Sequence, residues 1–123
     1  MKRRKGTRIA GFIVVLVVLA AVAMVFYREN AKSVIEAYMS RQGIKQSQLE
    51  YADFGRDFKR GGYVFNVHIK GEKPDIYYEY SFRDNKVYFR AYQNNPVYIK
   101  EKEWGGNGLS GDEMEKLKYP PPK

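Results

Sequence analysis

The hydrophobic pattern of the chain begins with one long apolar run. Residues 9–27, IAGFIVVLVVLAAVAMVFY, contain no charged side chain over 19 positions. A helix of this length covers about 28 Å at a rise of about 1.5 Å per residue, close to the roughly 30 Å hydrocarbon core of a bilayer. Inside lipid, a single segment satisfies its backbone hydrogen-bonding groups only as a helix. The run therefore predicts one transmembrane helix over residues 9–27.

The next segment, residues 28–43, has the spacing of an amphipathic helix. Apolar side chains recur at intervals of three and four residues, at Ala31, Val34, Ile35, Tyr38 and Met39. Gly43 stands where a C′ glycine would end the helix. Asn30 either caps this helix or lies within a continuous extension of the membrane helix. Because the stripe lasts only about three turns, we expect it to pack on the domain's own sheet and not to form a coiled coil.

From Leu49 to Gln93 the hydrophobic period falls to two, and the turn segments RGG, GEKPD and RDNK divide the stretch into strands. A tight turn at Asp84 and Asn85 fixes the register of the two strands on either side of it. On one face this register aligns Phe82 with Val87, Tyr80 with Phe89 and Tyr78 with Ala91. On the other face it aligns Ser81 with Tyr88, Glu79 with Arg90 and Tyr77 with Tyr92. A loop at residues 71–74 aligns Ile69 with Ile76, Val67 with Tyr78, Phe65 with Tyr80 and Tyr63 with Phe82. Both turns predict the same apolar inner face.

The segments on either side of this meander give weaker patterns. Phe54 and Phe58 share the inner face only together with Arg56, unless Gly55 forms a bulge. Residues 97–99 suggest a short strand, and EWGGNG suggests a mobile glycine-rich stretch. Ser110 and Glu113 have capping-box spacing, which predicts a short terminal helix before the prolines at 120–122.

These elements predict an α+β fold with an N-terminal transmembrane helix. One amphipathic helix packs on a three- to four-stranded antiparallel meander, and a short helix follows near the C-terminus. The predicted boundaries are a basic tail at 1–8, the membrane helix at 9–27, an α+β domain at 28–119 and a proline-rich tail at 120–123. A chain of 123 residues has room for one such domain.

Charge distribution sets the predicted orientation. The chain carries a net charge of +8, and five cations fall in its first eight residues, before any acidic residue: Lys2, Arg3, Arg4, Lys5 and Arg8. From Arg28 onward there are 17 basic and 14 acidic residues. The positive-inside bias therefore predicts a cytoplasmic N-terminus and a domain outside the cell membrane. Because the cations cluster in the tail and the domain's charges alternate in sign, we do not expect nucleic acid as a partner.

A cleaved secretory signal is the competing interpretation of the N-terminal segment. AVA at residues 21–23 has the small-residue pattern of a cleavage site, and cleavage after Ala23 would release a small secreted domain. The apolar stretch of a signal usually spans about 7–15 residues, whereas this one continues through Tyr27. The released domain would act as an inhibitor or regulator with a cystatin-like arrangement, which is an analogy of fold alone.

The residue types exclude most catalytic sites. There is no cysteine, so disulfides, thiolate metal sites and cysteine nucleophiles are absent, and His68 is the single histidine. Asp53 and Asp57 would stand about 13 Å apart along a strand, too far to share a cation directly. No combination of nucleophile, base and stabilising group is present, so we expect neither an enzyme nor a cofactor or metal site.

One group of side chains suggests a binding surface. The register places His68, Tyr77, Glu79, Tyr88, Arg90 and Tyr92 on the outer face of the sheet, beside Asn66. Such a patch can stack on a sugar or a peptide, or it can be an ordinary half-exposed sheet whose tyrosine hydroxyls face water. The expected partners are the membrane, through one span, and an envelope protein or a wall polymer.

The chain also resembles a known family. The order of basic tail, membrane span, helix, GGYVFNVHIKGEKPDIYYEYSF, DNKVYFRAY and EKLKYPP resembles small envelope proteins of Gram-positive bacteria grouped as domain-of-unknown-function family 3139. The resemblance covers most of the chain and implies an anchored, exported domain. It implies no catalytic residue.

Overall fold

The protein has an α+β fold. The computed structural model describes residues 2–123, with side chains from Lys5 onward. In chain order the elements are α1 (Lys2–Arg41), a 3₁₀ turn (Gln46–Gln48), β1 (Leu49–Arg56), β2 (Tyr63–Ile69), β3 (Ile76–Arg83), β4 (Lys86–Gln93), α2 (Pro96–Lys100), β5 (Asn107–Gly108) and α3 (Gly111–Glu115). The chain divides into two compact units, Met1–Lys32 and Ser33–Lys123.

From Lys2 to Lys32 the first unit is helical. From Ile9 to Tyr27 its large apolar side chains are 50% to 70% exposed. Among the described residues one helical stretch, Lys5–Arg41, is long and apolar enough to cross a membrane by length and composition, which fits a membrane anchor or a signal sequence. Helix α1 runs through Asn30 without a break, so this residue is not a helix cap.

The end of α1 confirms the predicted glycine stop. Gly43 has a φ of +83°. Its N–H donates to Ser40 O at 3.0 Å, and Ile44 N–H donates to Met39 O at 3.0 Å. These two bonds form a Schellman motif, in which the glycine adopts the left-handed conformation at little cost. Met39 and Ile44, at the two positions of the motif that are commonly apolar, are both buried.

The second unit is built on a five-stranded antiparallel sheet in the order β1-β2-β3-β4-β5. This is one strand more than the upper limit predicted, because β5 has only two residues and leaves no periodicity in the sequence. All six predicted pairs between β3 and β4 are confirmed. Between β2 and β3 the structure confirms the pairs Val67 with Tyr78, Phe65 with Tyr80 and Tyr63 with Phe82. Asp84 and Asn85 both have positive φ, as the two-residue hairpin turn requires.

Aromatic rings fill the core between the helix and the inner face of the sheet. Tyr80 is fully buried. Its ring centroid lies 5.8 Å from that of Tyr38 on α1, 5.2 Å from that of Phe89 and 6.3 Å from that of Phe65. The Tyr80 hydroxyl donates to Gln42 Oε1 at 2.6 Å, so the one polar atom of this ring is satisfied at the end of α1.

The first strand differs from the prediction in the position of its bulge. The register shifts between Glu50 and Asp53, where Tyr51 has a φ of +54°, and not at Gly55. After this shift Phe54 faces the core and stacks on Tyr63, with ring centroids 5.4 Å apart and planes 6° from parallel. Phe58 lies beyond the strand and is 90% exposed, so it does not belong to the core.

The predicted strand at residues 97–99 is wrong, because these residues belong to α2. Pro96 occupies the first turn, where its missing N–H costs nothing, and the Asn95 side chain accepts a hydrogen bond from Val97 N at 2.9 Å. These capping contacts outweigh the strand preference of the β-branched residues. The predicted terminal helix is confirmed as α3, including the reciprocal Ser110–Glu113 capping box.

Candidate functional site

The predicted outer face of the sheet is present, but the C-terminal segment covers part of it. Tyr77, expected to face solvent, is 2% exposed. Its ring stacks on Tyr92 with centroids 5.3 Å apart and lies 4.9 Å from that of Trp104. The Tyr77 hydroxyl donates to Gly105 O at 2.9 Å and accepts from Gly105 N at 2.8 Å. Tyr77 is therefore part of a second, smaller core.

The glycine-rich segment after α2 makes this cover. β5 pairs with Tyr92 and Gln93 of β4 and holds the segment against the sheet. Gly106 has a φ of +99°, and a Cβ there would lie 2.2 Å from Gln93 O, so only glycine allows the backbones to approach this closely. The Trp104 indole N–H donates to Asp53 Oδ2 at 3.2 Å, which ties the segment to β1. The stretch predicted to be mobile is thus fixed by specific contacts.

The sequence pattern did not identify Trp104 as part of this face. It is the only tryptophan of the chain and stands directly before two glycines. A large ring beside residues that permit close backbone approach is the signal that could have placed it on an aromatic neighbour.

The open half of the face carries an aromatic side chain between arginines. Tyr88 is 39% exposed, and the Arg83 guanidinium lies 4.3 Å from the centroid of its ring. Arg90 is exposed and pairs in register with Glu79. The Glu79 carboxylate accepts from Arg60 Nη2 at 3.1 Å. The Arg83 guanidinium over the Tyr88 ring and the exposed Arg90 beside it form a surface suited to planar or anionic groups.

His68 lies on the same face but is not accessible. It is 6% exposed, and its two ring nitrogens face Glu50 Oε1 at 2.8 Å and Lys73 O at 3.2 Å. These contacts connect β1, β2 and the loop that follows β2. The structure therefore places His68 in a structural hydrogen-bond network, apart from the exposed Tyr88 and Arg90.

Two further polar side chains are buried on this face. Asn66 Oδ1 and Ser81 Oγ have no hydrogen-bond partner within the part of the chain that the structure describes. No group of three or more His, Cys, Asp or Glu side chains positioned to hold a metal ion occurs among the described residues.

Burial changes the titration of the tyrosines. Loss of solvation raises the pKa of Tyr77 to about 12, and the charge of Glu79 adds to this rise while the bond from Gly105 opposes it. Burial also raises the pKa of Tyr78 and of Tyr80 far above the ordinary value. These hydroxyls are hydrogen-bonding groups of the fold at neutral pH.

A cavity of about 340 Å³ lies at the opposite end of the strands from the β3–β4 turn. The loop after β2, the end of β4 and the segment around α3 surround it, with Ile76 and Leu117 among its apolar walls. Glu72 borders it, but its carboxylate already accepts from the Tyr78 hydroxyl and from Lys118 N. The Glu72 carboxylate therefore fastens the C-terminal segment to the loop after β2.

Comparison with known proteins gives a relative that is described as uncharacterized. The chain is 54% identical over 109 residues to an "Uncharacterized 13.4 kDa protein" of Bacillus thuringiensis, and the match covers 89% of this chain and 96% of that protein. No solved structure matches. A family model described as "Protein of unknown function (DUF3139)" matches residues 8–80. The chain belongs to this family, as the aromatic hairpins and the preceding helix had suggested.

Proposed function

We propose that the protein is anchored in the cell membrane by one helix and presents a small binding or structural module at the outer surface of the cell. The observation that carries this proposal is the exposure of every large apolar side chain from Ile9 to Tyr27. Apolar surface in water costs about 25 cal/mol per Å², and no described part of the protein covers this surface. A bilayer would cover it along the whole run.

The orientation follows from charge. Lys5 and Arg8 precede the apolar run together with three further cations, and the first acidic residue of the chain is Glu29. Such a cluster stays in the cytoplasm, so the Ser33–Lys123 unit faces outward. The resemblance of the sequence to small envelope proteins of Gram-positive bacteria supports this orientation.

The module acts by binding and not by catalysis. The one histidine is buried and bonded to Glu50, so it does not serve as a general base at an open site. The outer face offers the exposed Tyr88 and Arg90, with the half-buried Arg83 against the Tyr88 ring. These side chains suit an envelope protein or a wall polymer bearing planar or anionic groups. Nucleic acid is not a partner in this proposal.

Fractionation of the full-length chain tests the anchor. We expect it to stay with membranes through carbonate extraction, and we expect protease added to wall-stripped cells to digest the C-terminal unit while an N-terminal tag survives. A mature N-terminus at Met24 would instead establish release of a secreted domain. Digestion of the tag with survival of the C-terminal unit would reverse the orientation.

A further inference from the structure

The loop between β1 and β2 holds an aromatic side chain in solvent. Phe58 is 90% exposed, more than any other large apolar side chain among the described residues. It contributes nothing to the core, although phenylalanine in water is unfavourable compared with a polar residue. An exposed ring of this kind calls for an explanation outside the fold.

Hydrogen bonds fix the loop in this conformation. Asp57 Oδ1 accepts from Lys59 N and from Arg60 N, both at 3.0 Å. The backbone closes between Asp57 and the glycines, since Asp57 N–H donates to Gly62 O at 3.0 Å and Gly61 N–H donates to Asp57 O at 2.9 Å. The bonds from Arg60 and Lys59 hold the pKa of the Asp57 carboxyl below its usual value. Phe58 is therefore held in solvent by a hydrogen-bonded turn.

The Arg60 side chain braces the same loop against the sheet. Its Nε lies 2.7 Å from Asp57 Oδ2, and its Nη2 lies 3.1 Å from Glu79 Oε1 on β3. Gly62 has a φ of +70°, and a Cβ at this position would lie 1.9 Å from Phe82 O. The base of the loop thus packs tightly on β3, while its tip stays open.

Two cations flank the exposed ring. Arg56 and Lys59 are exposed, and no described carboxylate lies within ion-pair distance of either. The Arg56 guanidinium lies 5.9 Å from the centroid of the Phe58 ring. An apolar tip between cations is typical of protein surfaces that enter the boundary between lipid headgroups and acyl chains, where the cations attract anionic headgroups.

We propose that this loop docks on an anionic bilayer surface, with Phe58 inserted among the lipids and Arg56 and Lys59 on the headgroups. The inference rests on the proposed membrane anchor. Only residues 28–32 separate the end of the apolar run from Ser33, so the bilayer is present at a high effective concentration. Under this condition a contact too weak to bind membranes by itself is occupied.

Tryptophan fluorescence of the full-length chain in vesicles tests the proposal. Phe58→Trp places a reporter in the loop, and Tyr98→Trp is the matched control, because Tyr98 is an exposed ring on α2. Trp104 contributes the same background to both variants and to the wild type. In vesicles of phosphatidylcholine and phosphatidylglycerol that contain brominated lipid, we expect several-fold stronger quenching of the added signal for Phe58→Trp than for Tyr98→Trp.

Charge reversal gives the second measurement. Changing Arg56 and Lys59 to glutamate in the Phe58→Trp chain should abolish most of this quenching in the same vesicles, while flotation and thermal unfolding stay as in the parent. Quenching of the Phe58→Trp signal no greater than that of the control overturns the loop contact. It would leave Phe58 available to a protein or polymer partner.

Flotation separates this failure from a failure of the anchor. If the chain floats with the vesicles but shows no quenching at position 58, the proposed anchor stands and the proposed docking of the loop is wrong. A chain that does not float overturns the proposed anchor and, with it, the docking that depends on the tether.

Discussion

The rings of Tyr77 and Trp104 lie 4.9 Å apart, and this contact turns half of the outer face of the sheet into a second core. Tyr77 lies on a strand with alternating polarity, whereas Trp104 lies in a glycine-rich segment that has no such pattern. Gly105 completes the contact by both donating to and accepting from the Tyr77 hydroxyl. The outer face is therefore divided into a closed half around Tyr77 and an open half around Tyr88.

The closed half should contribute substantially to stability. Tyr77→Ala removes a ring that is 2% exposed, so we expect the free energy of unfolding to fall by about 3 kcal/mol, within the range for large-to-small core changes. Trp104→Ala, at a half-buried position, should cost about 2 kcal/mol. Thermal unfolding of the full-length chain in detergent micelles, followed by near-ultraviolet circular dichroism, measures both.

Because Tyr77 and Trp104 share one contact, the double variant should lose less than the two single changes added together. If Tyr77→Ala lowers the free energy of unfolding by only about 1 kcal/mol or less, the loss is that expected for an exposed cross-strand pair. This result would contradict the burial of Tyr77 in a second core.

Ser81 offers a test in the opposite direction. Its hydroxyl is buried on the outer face without a hydrogen-bond partner among the described residues, and the residue is 3% exposed. Ser81→Ala removes this unsatisfied group and leaves a cavity smaller than a methyl group, so stability should stay unchanged or rise by up to about 1 kcal/mol. The same thermal assay measures it, and Ser47→Ala on the exposed 3₁₀ turn is the control. A clear loss of stability would mean that Ser81 has a hydrogen bond in solution.

Alternating polarity predicted the inner face of the sheet because two turns of known type fixed the register. Tyr63, Phe65, Tyr80 and Phe89 were all placed correctly on that face. Alternating polarity could not place Trp104, since its position depends on β5, whose two residues are too few to show a period. The binding patch of His68, Tyr77, Glu79, Tyr88, Arg90 and Tyr92 was accordingly predicted as one surface, whereas only part of it is open.

A helix cap explains one of the other differences, and local backbone conformation explains the second. Val97 and Ile99 are β-branched, but Asn95 and Pro96 begin a helix there. The bulge in β1 lies at Tyr51, where a tyrosine adopts a positive φ without a glycine to signal it. Side-chain hydrogen bonds and local strain of this kind depend on partners that sequence periodicity does not identify.

The buried tyrosines predict a loss of stability in alkali. The pKa of Tyr77 is about 12 in the folded chain against 10.0 for an ordinary tyrosine, because burial disfavours the phenolate. Below pH 10.0 its contribution is fully present, and it is lost as the pH rises from 10.0 toward 12, since the unfolded chain then binds fewer protons than the folded one. The unfolding free energy measured across this window should decrease steadily.

Tyr77→Phe should flatten this decrease, because the variant lacks one of the groups whose protonation is linked to folding. Tyr98→Phe, which removes a hydroxyl at a 49% exposed position, is the control substitution. Equal slopes for the two variants would contradict the linkage to Tyr77.

The open half of the outer face should carry the binding function. Tyr88 and Arg90 are exposed on β4, with Arg83 stacked on the Tyr88 ring, and aromatic and arginine side chains dominate the energy of many interfaces. Tyr88→Ala with Arg90→Ala should therefore weaken association by about tenfold or more, which corresponds to about 1.4 kcal/mol. Association is measured by co-sedimentation of the full-length chain with isolated wall material and by cross-linking on intact cells.

The control for this pair is Val97→Ala with Tyr98→Ala on α2, which removes two exposed apolar side chains outside the face. The α2 pair should retain association with the wall material and the same cross-linked products. Both double variants should keep the wild-type unfolding temperature within a few degrees, because none of the four side chains is buried. If association survives the loss of Tyr88 and Arg90 but not the loss of Val97 and Tyr98, the binding surface lies on α2, and the sheet face serves only to close the second core.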